Sequence, residues 1–187
     1  MKQLRKHRGF TIPELVITIG IAAILLSVAV PGVSNTIKEN RLAEQVNAVI
    51  IDFYYARSEA AKRDVRVIMC RSGNPNSTNP TCGGQANNWS TGYLIFADDG
   101  NNTNNTYDAG TDTLLRRGQP ADDGIRMRTT DTWNVALEII PDGFLHESGA
   151  TTMAICDDRG NDSGRQISIA LNGQPRLQSK NIDTCTP

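Results

Sequence analysis

From Phe10 to Val30 the chain runs for 21 residues with a single charge, Glu14, and this run sets the terms for everything else in the sequence. As an α-helix it is about 32 Å long at ~1.5 Å per residue, enough to cross the hydrocarbon core of a bilayer. The leader before it carries Lys2, Arg5, Lys6 and Arg8. A basic leader stays in the cytoplasm and sends the chain after Val30 across the membrane. An ordinary secretory signal places small residues in a cleavage site after its apolar region. Here Pro31-Gly32-Val33-Ser34-Asn35 follows, with no A-x-A pattern. The abrupt chemical boundary lies in front of the run, between Gly9 and Phe10.

A length of 187 residues suggests one domain beyond that segment. Nineteen Lys and Arg against 20 Asp and Glu give a net charge of −1, so no bulk polyanion partner is implied. Loss of Met1–Gly9 removes four cations and takes the remainder from −1 to −5. Few aromatics and plentiful Gly, Asn, Asp and Thr fit a loop-rich β domain better than a helical bundle.

The stretch RGFTIPELVITIGIAAILLSVAVPG, from Arg8 to Gly32, resembles the class III signal of type IV pilins and type II secretion pseudopilins. The resemblance implies a membrane-bound prepilin peptidase that cuts after Gly9 and N-methylates the new amine of Phe10. Glu14 falls on the family's glutamate, fifth in the processed chain. Pro31, followed by Gly32, falls on its helix-kinking proline. Pro13 departs from the aliphatic residue usual before the glutamate, yet the first four N–H groups of a helix have no internal acceptor, so a proline there sacrifices nothing. An unpaired carboxylate in an apolar setting costs free energy. In a filament the Phe10 amine of one subunit and Glu14 of a neighbour would pair at low dielectric, making Glu14 a docking register.

Past the anchor the periodicity stays helical to about Arg63. Val33, Ile37, Leu42, Val46, Val49, Ile50, Phe53 and Ala60 recur at three- and four-residue steps, with Lys38, Glu39, Glu44 and Asp52 placed on the surface. From Asp64 the pattern turns to short strands. Val65–Met69, Gly92–Ala97, Thr113–Arg117 and Gly124–Arg128 come first; Val135–Ile140, Met153–Cys156, Gln166–Leu171 and Pro175–Gln178 follow. Asn172-Gly173 reads as a two-residue hairpin turn between the last two. The expected fold is α+β and pilin-like, a long N-terminal helix packed on antiparallel sheets. The expected organisation is a leader over 1–9, a membrane and assembly helix over 10–32, an amphipathic helix over 33–63 and a periplasmic β-rich domain over 64–187.

The order ARSEAAKRDVRVIMC, WSTGYLIFADDGNN, MAICDDRG and RQISIALNGQPR is similar to the GspH/FimT group of minor pilins and pseudopilins, and the likeness covers nearly the whole chain. It implies a single-pass protein of the bacterial inner membrane with a periplasmic domain, assembled into a pilus or pseudopilus. The implied partners are the prepilin peptidase, other minor pilins and the major pilin. It implies a minor type IV pilin at or near the filament tip that helps to initiate assembly; a type II secretion pseudopilin and a DNA-uptake pilin stay open beside it.

Cys70, Cys82, Cys156 and Cys185 all lie beyond the membrane segment, an even number for an oxidising compartment. Of three connectivities, Cys70–Cys82 and Cys156–Cys185 are expected. Zinc-knuckle spacing is missing, so no metal and no cofactor is implied. The acidic loop Asp98–Asp112 offers oxygen ligands but not the spacing of a calcium loop, and reads as a solvated turn. With His7 in the leader and only His146 elsewhere, no catalytic device is recognisable and no enzyme is expected. FimT-like relatives bind DNA through Gly-Arg-x-Arg. The stretch here, Gly173-Gln174-Pro175-Arg176, keeps only the second arginine. Arg165, Arg176 and Lys180 are the candidate phosphate contacts, set against Asp157, Asp158, Asp162 and Asp183 nearby, so DNA is the lesser expectation.

Overall fold

A computed structural model describes residues 9–100, 105–129, 136–146, 151–161 and 163–179. The leader before Gly9, Val135, Asp162, Lys180, Asp183 and Cys185, all named above, lie outside the described residues. Among the described residues one helix, α1 (Ile12–Arg63), precedes eight strands: β1 (Val67–Arg71), β2 (Tyr93–Ala97), β3 (Thr113–Gly118), β4 (Arg126–Thr129), β5 (Ala136–Ile139), β6 (Thr151–Cys156), β7 (Arg165–Ile169) and β8 (Pro175–Ser179). The chain divides into two compact units, one ending at Glu39 and one beginning at Asn40.

In the first unit the described helical side chains up to Ile37 are exposed. Ile12, Val16, Ile24, Leu25, Val28 and Val33 are all largely solvent-accessible, and its most apolar 18-residue window has a mean hydropathy of 2.4 with no part buried. The helix continues through Pro31 and Gly32, although a proline at 31 withholds the hydrogen bond otherwise owed to the Ser27 carbonyl.

In the second unit α1 buries one stripe: Leu42, Val46, Val49, Phe53, Ala56 and Ala60. These are three- and four-residue steps, one face of a 3.6-residue period. Val33 and Ile37 do not belong to it, being 59% and 47% exposed. The helix stops where Asp64 takes a left-handed conformation (φ 56°) and its N–H closes on the Ala60 carbonyl. Lys62 and Arg63 complement the dipole in the last turn. Val65 and Arg66 are spent on this exit, so β1 opens at Val67, two residues later than the alternation predicts.

The strands form two antiparallel sheets, ordered β3-β2-β1-β5 and β4-β6-β7-β8. The main core joins the α1 stripe to Val67, Met69, Ile95 and Leu137 of the first sheet and to Met127, Ile155 and Ile167 of the second. The first sheet is covered on its other face too: Ile68, Cys70, Leu94 and Phe96, with Leu114 beside them, pack under Cys82 and Tyr107. This two-sided burial explains why β1 and β2 read as continuous apolar runs. The Cys70–Cys82 disulfide, as expected, holds the covering loop down. Cys156 is also disulfide-bonded. The β7–β8 connection differs from the two-residue turn: Gly173 donates to Ala170, and Gly173 alone has positive φ (66°), giving a three-residue loop in which the glycine supplies the left-handed position.

Phe53 is 1% exposed at the centre of the stripe. Phe53→Ala should cost about 3–5 kcal/mol in urea unfolding of the detergent-solubilised chain. A Cys70→Ala/Cys82→Ala pair should cost about 2–3 kcal/mol.

Candidate functional site

The processing segment begins the helix with a cap. The Thr11 carbonyl accepts the first intrahelical bond, from Leu15 N–H at 3.1 Å, which makes Thr11 the N-cap residue. Glu14, three residues on, accepts the Thr11 N–H at 3.5 Å through Oε2. Thr11-Ile12-Pro13-Glu14 thus forms the glutamate half of a capping box, in which the glutamate satisfies a donor the helix cannot. The helix starts at Ile12 rather than Phe10, and Pro13 still falls in the first turn, where its missing N–H has no acceptor to lose. The T-x-x-E spacing was present in the sequence as a signal for this role. Gly9, Phe10, Thr11 and Glu14 surround one open surface at the helix start.

The globular unit carries a polar groove of about 390 Å³. One wall is α1, with Arg41, Glu44 and Gln45; the other is the β3–β4 connection, with Gln119 and Asp122. Its floor is a network. Asp52 accepts the Tyr93 hydroxyl at 2.7 Å through Oδ2 and the Arg116 guanidinium through Oδ1. Arg116 also lies over the Tyr55 ring, 4.6 Å from its centroid. The periodicity places Asp52 on the surface; it is 8% exposed, and these partners are why its charge can be buried.

Arg116 reaches the helix because of a bulge. Thr113 pairs with Ala97 and Leu114 with Phe96, but Ile95 pairs with Arg116, leaving Leu115 as the extra residue. The extra residue turns Arg116 to the face that carries Tyr93 and Ile95. Gly118, paired with Tyr93, leaves the space that the phenol ring fills; a side-chain carbon there would overlap it. On the opposite face Arg117 donates to the carbonyls of Pro75 and Ser77, both at 2.7 Å.

The arginines expected to contact DNA are not brought together. Arg165 pairs with Ile155, itself paired with Met127, so it lies in a row of the core-side face. Arg176 pairs with Ser168 on the other face, which it shares with Arg126 and Arg128. Arg165 is turned to the carbonyls of Ser163 and Gly164, at 3.2 and 3.4 Å. His146 Nδ1 lies 3.3 Å from Glu138 Oε2, in a cluster where Arg66 bridges Glu138 and Asp98. In the acidic loop Asp112 accepts the N–H groups of Gly100 and Asp108, which is turn chemistry. Among the described residues no three metal-ligating side chains lie together.

The family described as type II transport protein GspH matches residues 45–174. The chain belongs to the GspH family. The prokaryotic N-terminal methylation motif matches residues 4–30, the leader and the apolar run. Two crystal structures of the type IV minor pilin FimU of Pseudomonas aeruginosa share the fold. One, in space group P21, is 21% identical with a TM-score of 0.60, covering 80% of this chain and 98% of that one. The other, in P65, is 19% identical with a TM-score of 0.56, covering 78% and 100%. No curated protein matches the sequence. The α+β layout of a long helix on antiparallel sheets is thus the pilin fold, and pilin-family proteins are structural components that assemble with other pilins.

Burial, and then the charge and hydrogen bond of Asp52, push the Tyr93 phenol well above its usual value of 10.0. A group whose pKa is higher folded than unfolded contributes stability that is whole below the unfolded value and is lost as pH rises beyond it. Stability should therefore fall above about pH 10. Tyr93→Phe, which has no proton to lose, should show a shallower alkaline loss in urea midpoints measured from about pH 8 to about pH 11. An equal slope in both proteins would remove Tyr93 as its source.

Proposed function

We propose that this GspH-family chain is a minor pilin, cut after Gly9 by a prepilin peptidase and N-methylated at Phe10. The carrying observation is the pairing of an uncovered apolar helix, headed by Glu14, with a pilin-fold domain that has its own core. Residues 1–9 are the leader. Residues 10–32 hold the subunit in the inner membrane until the filament takes it, and bending at Pro31-Gly32 adjusts the helix to its new neighbours. Residues 33–63 complete the helix, and 64–187 form the periplasmic domain. Cys185, outside the described residues, is the partner of Cys156.

Glu14 first caps its own helix and then, in the filament, pairs with the Phe10 amine of an adjacent subunit. The subunit joins at or near the tip with other minor pilins and the major pilin, and helps to initiate assembly. A type II secretion pseudopilus is the second reading, favoured by the family's own description. Deletion separates the two: loss of surface pili supports the first, and loss of secreted substrates with pili intact supports the second. DNA binding has less to stand on, since the two described arginines lie on opposite faces.

Glu14→Ala should leave cleavage intact and lower incorporation into sheared filaments by about tenfold, the equivalent of one lost charge-assisted contact. Incorporation equal to wild type would sink the docking role.

A further inference from the structure

The groove between α1 and the β3–β4 connection has a floor already committed and a rim that is not. We propose that it seats a segment of a neighbouring pilin-fold subunit, one that carries a basic side chain and a carboxylate close together. The proposal rests on the filament reading above.

Asp52 holds Tyr93 and Arg116 at once, and Arg116 is stacked on Tyr55, so the floor is fixed before anything binds. A preformed surface is spared the ordering cost of binding. At the rim, Arg41 and Glu44 stand one turn apart on α1 and Asp122 faces them from the connection. All three are exposed, and their side chains make no hydrogen bond or ion pair with the described residues. Opposite charges at that helical spacing ordinarily pair with each other; here they are left to the groove.

The sign balance selects the occupant. At the rim Arg41 stands against Glu44 and Asp122, while on the floor Arg116 and Asp52 already neutralise each other. A polyphosphate meets more repulsion than attraction there, and a bare cation leaves Arg41 without a complement. A peptide segment with one charge of each sign finds both complements, which gives specificity and register more than raw affinity. Pilin-family proteins assemble with other pilins, so a neighbouring subunit is the peptide surface that this groove meets.

The test uses the full chain in cells that assemble its filament, comparing the subunit in the sheared fraction with its membrane pool. Glu44→Lys/Asp122→Lys should lower incorporation by about tenfold or more, while the unfolding temperature in detergent and the Cys70–Cys82 bond stay as in wild type. Normal incorporation of that variant, with Glu14→Ala still impaired, overturns the groove and leaves the filament reading standing. Absence of the wild-type subunit from the sheared fraction removes the filament reading and the groove with it. Should the double lysine variant fail to fold, the near-isosteric Glu44→Gln/Asp122→Asn pair replaces it: a drop of about threefold or more supports the groove, and none overturns it.

Discussion

An apolar helix with no cover of its own is the constraint on which the rest depends. Between Ile12 and Val33 the large apolar side chains described on α1 are all more than half exposed, and water is a poor solvent for such a surface. Lipid or other helices of the same kind must supply the missing contacts. Glu14 sharpens the demand, because a carboxylate near the start of an apolar helix also needs partners. The helix provides one itself, through the Thr11 N–H. A cap of this kind is weak enough to be exchanged for the amine in the docking step proposed above.

The globular unit solves the opposite problem. Its stripe of Leu42, Val46, Val49, Phe53, Ala56 and Ala60 is closed over by both sheets, and the helix is pinned on its flank by a buried acid. Asp52 is tolerable only because Tyr93 and the bulge-directed Arg116 converge on it. Removing either partner leaves a desolvated charge, so the network resists sliding of the helix on the first sheet. The same fixed atoms form the floor of the groove, so the device that holds the helix also prepares a surface for a neighbour.

Much of this was legible in the sequence because its signals are local. Alternation located all eight strands to within a few residues, and the three-four spacing located the helix end at Arg63. The class III signal is contiguous, so its glycine, phenylalanine and glutamate could be read together. What escaped depends on partners far along the chain. Asp52 looks like a surface acid until Tyr93, 41 residues on, and Arg116, 64 residues on, are seen beside it. The bulge at Leu115 has no glycine to announce it. The faces of Arg165 and Arg176 follow from strand register, which a one-residue difference in a hairpin loop reverses. Thr11 as a cap was readable and is a matter of spacing alone.

The central claim is that this chain leaves the membrane as a processed filament subunit. Mass spectrometry of its N-terminal peptide, recovered from sheared filaments, tests that most directly. The account predicts a chain beginning at Phe10 and carrying one methyl group on its amine. A filament-borne chain that still begins at Met1, or filaments that never contain the subunit, would contradict it.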